Sequence, residues 1–446
     1  MNEAPNNAGF ETIDLGGAIY VPGAEAIINF EPSKDLFKEA TTPIKVGNYE
    51  IVQWGTDNKM PNNVITKVEA SEVVSSNVLF NIEVGYGLGV KPMMKATDGT
   101  LTECIDEKVL DFFDTNDINA WYLEQMNDIV MFFQPYSELI LDNAGANIIE
   151  LRSKEASYSR LGVMDNKGKI TKHYYSSEWE TGAKKETITE TSVLDRYNPF
   201  LDLTKQCKKT QRFIFIVNMP TPGRPYYPRP TWWSMFDSGW YDYAIMIPKF
   251  KTTLLKNKLT LKYIIYVSNK YWDELYAVKK LNITDTEACK LAREEEKTRI
   301  LDFLKNTGKN AGGGIMVLKK LTPSGNSVIE EKYIEIEEIK NDLKGGEYLE
   351  DSQEATSMLC YAQGVHPSLI GAVPGKTGSS LSGTDARERI MIKQSLMAPF
   401  RQRPLRVLEL IKKFNRWPKE LTFVVQDYNF TTLDKNKEGK EIKNNE

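Results

Sequence analysis

The sequence predicts an α+β fold, and three observations lead there. Apolar stripes of helical period, over residues 62–90 and 115–133, lead into short strand runs between 137 and 179 with turn residues between them. A second mixed stretch, 247–339, joins helical segments to strand-like ones. Residues 347–363 hold neither Pro nor Gly and read as a helix, after which a Gly- and Ser-rich loop leads into a long helix.

Composition narrows the class. A chain of 446 residues predicts two or three domains. Hydrophobic content of 41% with 11% aromatics provides for sizeable cores, so the chain is not a disordered one. The net charge of −4, from 57 basic and 61 acidic residues, is not that of a free-standing nucleic-acid binder, which is usually basic. Cys104, Cys207, Cys289 and Cys360 are far apart and only His173 and His366 accompany them, which argues against a metal site. The start lacks a basic and apolar leader, and the aromatic run 232–247 is broken by Asp237 and Asp242. These features predict a reducing, aqueous compartment and no membrane.

In chain order, residues 1–42 are punctuated by Asn, Gly and Pro and predict an arm, either poorly ordered or draped over a neighbouring subunit. Residues 49–55 read as a strand and 56–61 as a turn. One long helical segment follows within 62–90, with Val64, Val68, Val73, Val74, Leu79 and Ile82 as its apolar positions and Gly85 to Gly89 as its exit. That glycine spacing is not a dinucleotide fingerprint, and it follows a helix rather than a strand. Helix 115–133 precedes strands at 137–142, 147–152, 158–164 and 169–179, and Asp165-Asn-Lys-Gly168 has hairpin chemistry. His173 lies in the last of these and reads as structural or exposed, since no second ligand stands nearby.

Residues 204–212 are basic and loop-like, and 213–217 form an unbroken apolar strand. The Pro-rich stretch 218–230 leads to a helix over 247–263, with Pro248 in its first turn and lysines at Lys249, Lys251, Lys256, Lys258 and Lys262. Residues 263–267 read as a strand. Thr284 and Glu287 have capping-box spacing and open a helix that stops at Gly308. Strands at 315–318 and from 328 follow, with a turn at 322–326. The helix 347–363 places Leu349, Met358, Leu359 and Ala362 on one stripe, with acids leading its first turns and Gly364 ending it. After the loop 364–383, Thr384 or Asp385 caps a long helix that Pro399 and Pro404 are expected to kink.

Several of these stretches, taken in order, resemble tailed-phage portal proteins. Trp54-Gly-x-Asp-Asn-x-x-Pro61 followed by a helix and Gly-x-Gly is similar to the start of such proteins, especially those of phages infecting Bacteroides-like bacteria. Tyr174-Tyr-Ser-x-x-Trp179 resembles their wing domain, and Tyr226-Tyr-Pro-Arg-Pro-Thr-Trp-Trp233 the approach to their first stem helix. Gly364-Val-His-Pro-Ser-Leu-Ile-Gly371, a loop, then a helix with Pro399-Phe400 resembles their C-terminal half. The resemblance implies a portal fold with wing, helical stem, α/β clip and tunnel loop. It sets an arm at 1–45, a wing at 46–246, a first stem helix at 247–263, a clip at 264–343, a second stem helix at 344–363 and the tunnel loop at 364–383. A long wing helix and a short C-terminal or crown region, 384–446, complete it, leaving little room for a large crown.

The implied role is architectural and not enzymatic, with no cofactor. Copies of the chain form a ring, typically a dodecamer in that family, at one capsid vertex, through which DNA is packaged and ejected. The implied partners are other copies of itself, double-stranded DNA in the tunnel, the terminase large subunit, the major capsid and scaffold proteins, and the head-tail adaptor. The implied location is the virion, and the host cytoplasm during assembly. In the tunnel loop, Lys376 with Thr377, Ser379 and Ser380 are the candidate DNA contacts. Lysines of the first stem helix, Lys251 and Lys258, are candidates to pair across subunits with Glu350 and Glu354 of the second.

Two other classes stand beside this one: a different head-tail connector or scaffold protein, and a nucleic-acid enzyme. For the enzyme, Gly371-Ala-Val-Pro-Gly375-Lys376-Thr377 has three residues between its glycines where a Walker loop needs four, and it follows a helix. The acidic runs Glu294 to Glu296, Glu330-Glu331 and Glu335 to Glu338 read as solvated faces rather than metal-nuclease ligands.

Overall fold

Ser71 divides what reads in the sequence as one helix. Apolar residues recur at helical spacing on both sides of it. In the computed structural model, however, one helix ends at Glu69 and a new one starts at Glu72. The Ser71 hydroxyl accepts from the Val74 N–H at 3.4 Å, so it caps the second helix as a serine at that position commonly does.

The structure describes residues 43–166, 168–260, 263–267, 269–281, 286–307, 319–324, 327–332, 334–338, 349–370 and 383–427, with three short strands nearer the start. Those three, β1 (Ile13–Asp14), β2 (Ile19–Val21) and β3 (Ala26–Ile28), pair antiparallel with one another. The chain then divides into two units, one of residues 1–247 with 348–446 and the other of 248–347.

The first unit opens with β4 (Ile44–Val46), β5 (Tyr49–Val52), α1 (Met60–Glu69) and α2 (Glu72–Tyr86). Next come β6 (Val90–Lys95), β7 (Leu101–Glu103), α3 (Glu107–Thr115) and α4 (Ile118–Phe132). The predicted helix from 115 is therefore α4 alone, entered through the left-handed Asp117, whose carboxylate accepts the Ala120 N–H at 3.2 Å. After β8 (Tyr136–Leu141), β9 (Ile148–Lys154), β10 (Ser159–Gly162), β11 (Lys172–Tyr175) and β12 (Thr189–Val193) comes α5 (Pro199–Gln206). That helix occupies part of the stretch expected to be a loop, with proline in its first turn. β13 (Arg212–Ile216) and a short helix α6 (Ser234–Asp237) lead to α7 (Trp240–Thr260).

Eight strands form one sheet in the order β4-β5-β10-β11-β12-β13-β8-β9, antiparallel except for the parallel pair β12–β13. The large core joins Leu139, Phe213 and Phe215 of this sheet with Met126 and Ile129 of α4, and with Val78 of α2. Each such side chain, fully buried, contributes about 1.5–3 kcal/mol. A small second core of Ile51, Tyr174, Trp179 and Ile188 is separate from it. Two asparagines occupy the first half of the outer side of β9. Asn116 accepts the Leu151 N–H and donates to the Ile149 carbonyl, while Asn415 accepts the Ile148 N–H and donates to the Ile148 carbonyl. Among the described residues nothing pairs with the outer side of β4.

α7 corrects the expectation of a helix starting at Ile247. Proline is normally confined to the first turn, since inside a helix it removes a hydrogen bond at a cost of about 3 kcal/mol. Here the helix begins after Gly239, which has a φ of +82°, and Pro248 lies inside it. The early turns are held by Tyr241, buried, whose hydroxyl donates to the Lys67 carbonyl at 2.8 Å.

The second unit contains β14 (Tyr263–Val267), α8 (Asn269–Val278), α9 (Thr286–Thr307), β15 (Lys319–Ser324), β16 (Ser327–Lys332) and β17 (Ile334–Glu338). β14 pairs with β17, and β15 with β16, all antiparallel. α8 falls in a stretch given no element from the sequence. Its Trp272 and Tyr276 pack with Cys289 and Ala292 of α9. The acidic run on α9 is not wholly solvated: Glu294 and Glu295 are exposed, but Glu296 is buried and accepts from the Tyr271 hydroxyl at 2.7 Å. The strand expected at 315–318 lies outside the described residues.

Back in the first unit are α10 (Leu349–Ala362), a helical turn α11 (Pro367–Ile370), α12 (Gly383–Phe414) and β18 (Leu421–Val425). α11 takes up part of the stretch expected to be all loop, and Gly383 begins the helix rather than ending the loop. α12 remains one helix from end to end, with Pro399 and Pro404 inside it. β18 returns to pair with β6, which leaves the sheet β18-β6-β7.

Candidate nucleic-acid interface

Lys376, Thr377, Ser379 and Ser380 lie outside the described residues, as does the side chain of Lys258. Lys251 is half-buried on α7 in the second unit, while Glu350 and Glu354 are exposed on the first turns of α10 in the first. Neither glutamate makes an ion pair among the described residues. Their neighbour Asp351 accepts a hydrogen bond from Tyr243 of α7, and burial together with that carboxylate holds the Tyr243 phenol above its ordinary range.

What the structure does describe is the frame on both sides of residues 371–382. α10 is fastened to α2 by amides. The Asn77 amide meets the Cys360 sulfur at 3.6 Å, Asn81 donates to the Gln363 carbonyl at 3.3 Å, and Gln363 donates to the Val74 carbonyl at 3.4 Å. Leu359 and Ala355 are buried between them. The helix then turns at Gly364, φ +60°, with the Val365 N–H reaching back to the Cys360 carbonyl at 3.0 Å. From α12, the Lys393 ammonium donates to the Gly364 carbonyl at 2.9 Å, and burial pulls its pKa down to about 8. His366 accepts the Ser368 N–H at 3.3 Å, and burial with the nearby Arg389 holds its imidazole below the usual range.

Further along α12, Arg401 fixes the helix to its surroundings. Its guanidinium donates to the carbonyls of Gly85 and Val84, at 3.1 and 2.6 Å, and to both carboxylate oxygens of Asp427, at 2.9 and 2.5 Å. Gly87 lies at this junction with φ +57°, and a Cβ there would come within 2.6 Å of the Gln426 carbonyl oxygen. Asn77, Asn81, Gln363, Lys393 and Arg401 were not found by sequence reasoning. The available signal was the pair Asn77 and Asn81, four apart and at the same helical spacing as the apolar Val74, Val78 and Ile82.

Three of the resembling motifs, at 54–61, 174–179 and 226–233, supply core residues. Asn58, left-handed at φ +62°, accepts on its side-chain oxygen from the Trp54 N–H at 3.1 Å and from Arg160 Nε at 2.6 Å. Arg160 is buried, gives its other hydrogen bonds to the carbonyls of Asn58, Ser157 and Ser159, and lies over the rings of Trp54 and Trp179. Burial lowers its pKa to about 10. The Tyr227 hydroxyl accepts the Leu161 N–H and donates to the Val52 carbonyl, while Trp232 and Trp233 donate to the carbonyls of Val130 and Met131 at the end of α4.

Among the described residues no three His, Cys, Asp or Glu side chains gather as a metal site, and no helix is long and apolar enough to cross a membrane. His173 is buried with neither ring nitrogen hydrogen-bonded, beside Tyr136 at 5.2 Å between ring centres. The described part of this arrangement is a frame that anchors α10 and α12 on either side of residues 371–382.

No protein-family profile matches the chain, and no curated protein sequence matches it. Solved structures do. A chain of the virion of a native gene transfer agent (GTA) particle is similar over 85% of this chain and 86% of its own, with a TM-score of 0.54 at 12% identity. A chain of the neck of an empty GTA particle, computed with C6 symmetry, is similar over the same shares with a TM-score of 0.53 at 12% identity. At that identity the likeness is one of fold, and it runs through most of both chains.

Proposed function

We propose that this protein is a portal protein: a structural component, not an enzyme, whose copies close a ring at one capsid vertex through which DNA enters and leaves. The observation that carries the reading is the fold shared over 85% of the chain with a chain of the GTA virion. The order of the sequence motifs, and the frame that anchors both sides of residues 371–382, support it. A closed ring requires a head-to-tail interface between copies. A chain of net charge −4 suits a channel in which DNA must slide, because many lysines would hold the duplex through counterion release. In this reading Lys376, with Thr377, Ser379 and Ser380, faces the DNA, and the ring docks first the terminase large subunit and then the head-tail adaptor. The capsid and scaffold proteins are its other partners, in the virion and in the host cytoplasm during assembly.

Negative-stain microscopy of the purified full chain tests this. Rings with a central channel are expected, and a chain that stays a lone globule across micromolar concentrations overturns the reading. A second reading, another component of the head-tail connector, is favoured by the likeness to a chain of the GTA neck. Pull-down with the terminase large subunit separates the two, since only the portal reading predicts that complex.

A further inference from the structure

We propose that α5 and the C-terminal half of α12 together form a second nucleic-acid contact surface, one that grips the phosphate backbone and is separate from residues 371–382. The surface is built from two elements that touch. Lys413 of α12 lies over the Phe200 ring of α5 at 4.2 Å, and Arg406 of α12 donates to the Arg196 carbonyl just before α5 at 3.4 Å. The far ends of both elements meet the same loop. The Cys207 carbonyl stands so close to Gly145 that a Cβ there would come within 2.6 Å of it, and Asn415 hydrogen-bonds Ile148.

On this surface Lys205, Lys208, Lys209, Arg406, Lys413 and Arg416 are exposed, and none makes an ion pair among the described residues. Of the neighbouring acids, Asp195 pairs with Lys169 and Glu409 with Lys412, while Asp202 accepts from the neutral Asp195 N–H and Gln206 and keeps its charge, one against the six cations. Positive charge is therefore concentrated here although the whole chain carries −4. Arg403 registers the crowding, since burial and then the nearby Arg406 hold its guanidinium below its usual range.

A nucleic acid fits this surface better than a protein does. Protein interfaces place a core of apolar side chains inside a polar rim and deplete charge at the centre. Here Tyr197 and Leu201 are the exposed apolar residues on the α5 side, too few for such a core, and cations lie on both elements. Interfaces with nucleic acid are charged throughout, as this one is. Arg406 and Lys413, seven residues apart on one helix, are separated by about 10 Å, or about three steps along a single strand.

The test is fluorescence anisotropy of the purified full chain with a labelled 30-base-pair duplex, about three helical turns, titrated with salt. The combined variant Lys205→Gln, Lys208→Gln, Lys209→Gln is expected to weaken binding about tenfold at moderate salt and to flatten the log affinity against log salt slope by about 2–3. The pair Arg406→Gln with Lys413→Gln acts from the other element and decides the matter if the first variant fails to fold. Unchanged affinity and slope in a folded variant overturn the proposal. So does loss of all binding on Lys376→Ala alone, or displacement of the duplex by polyglutamate at a lower charge concentration than by unlabelled DNA. Ring formation is read separately by microscopy. A ring with no effect of these variants sinks the surface and leaves the portal reading standing, and the converse result does the reverse.

Discussion

Arg160 and Arg401 are both buried arginines in the first unit, and they are neutralised in opposite ways. Arg401 has a carboxylate, Asp427, gripped by two hydrogen bonds. Arg160 gives four hydrogen bonds to neutral oxygens and lies over two indole rings. The difference follows from what each one joins. Arg160 gathers a turn and a strand close to each other in the fold, where carbonyls are plentiful. Arg401 joins a long helix to the exit of α2 through two carbonyls and to the segment just after β18 through a single carboxylate. Both arginines reach far along the chain through neutral oxygens, Arg160 to Asn58 and Arg401 to Gly85, and Arg401 alone adds a carboxylate from a nearby segment.

The largest expected effect breaks the cage. Arg160→Met takes a donor from three carbonyl oxygens and from the Asn58 amide oxygen, which keeps the Trp54 N–H, and is expected to cost about 3–5 kcal/mol in urea unfolding. A loss below about 1 kcal/mol would mean that the cage is not what holds the Asn58 turn. Next comes His173, whose pKa burial and then Lys154 pull down to about 3. Above the unfolded value near 6.5 both states are neutral. Below it the unfolded chain takes a proton that the folded chain refuses, so stability falls with pH until about 3, by about 1.4 kcal/mol per unit. His173→Phe is expected to remove that slope from an acid titration of stability, and an unchanged slope would assign it to other groups.

The paired arginine gives a smaller effect. Asp427→Asn leaves Arg401 its carbonyl partners, and a loss of about 1.5–3 kcal/mol is expected. Hydrogen exchange of the Leu88 amide, which donates to the Gln426 carbonyl, should quicken in that variant but not in Arg160→Met. Equal exchange in both would erase the distinction between cage and pair. Smallest is Lys393→Met, which removes the bond to the Gly364 carbonyl and is expected to cost about 1 kcal/mol. A stability change beyond about 3 kcal/mol would mean that the turn after α10 depends on Lys393 far more than one hydrogen bond allows.

The sequence makes the α+β class, the strand runs, α10 and α12 legible, because their apolar periods and terminating glycines are local signals. It does not show the break at Ser71, since apolar spacing runs straight across it and only a capping hydroxyl marks the change. It misplaces the start of α7 because proline ordinarily opens a helix, whereas here the helix already begins after Gly239, with Tyr241 anchoring its first turn, and Pro248 lies inside it. The frame around 371–382 was hidden for another reason. Its fastenings join residues hundreds of positions apart, such as Asn81 with Gln363 and Arg401 with Gly85, and no periodicity reports such pairs. Lys376, Thr377, Ser379 and Ser380 themselves lie outside the described residues.

The two asparagines along β9 have a consequence for how copies of this chain can meet. With the Ile148 and Leu151 amides and the Ile148 and Ile149 carbonyls already taken by Asn116 and Asn415, the first half of that margin offers a poor template to an incoming backbone. The opposite margin, at Ile44–Val46, has no such occupants among the described residues, so strand addition to the eight-stranded sheet acquires a preferred direction.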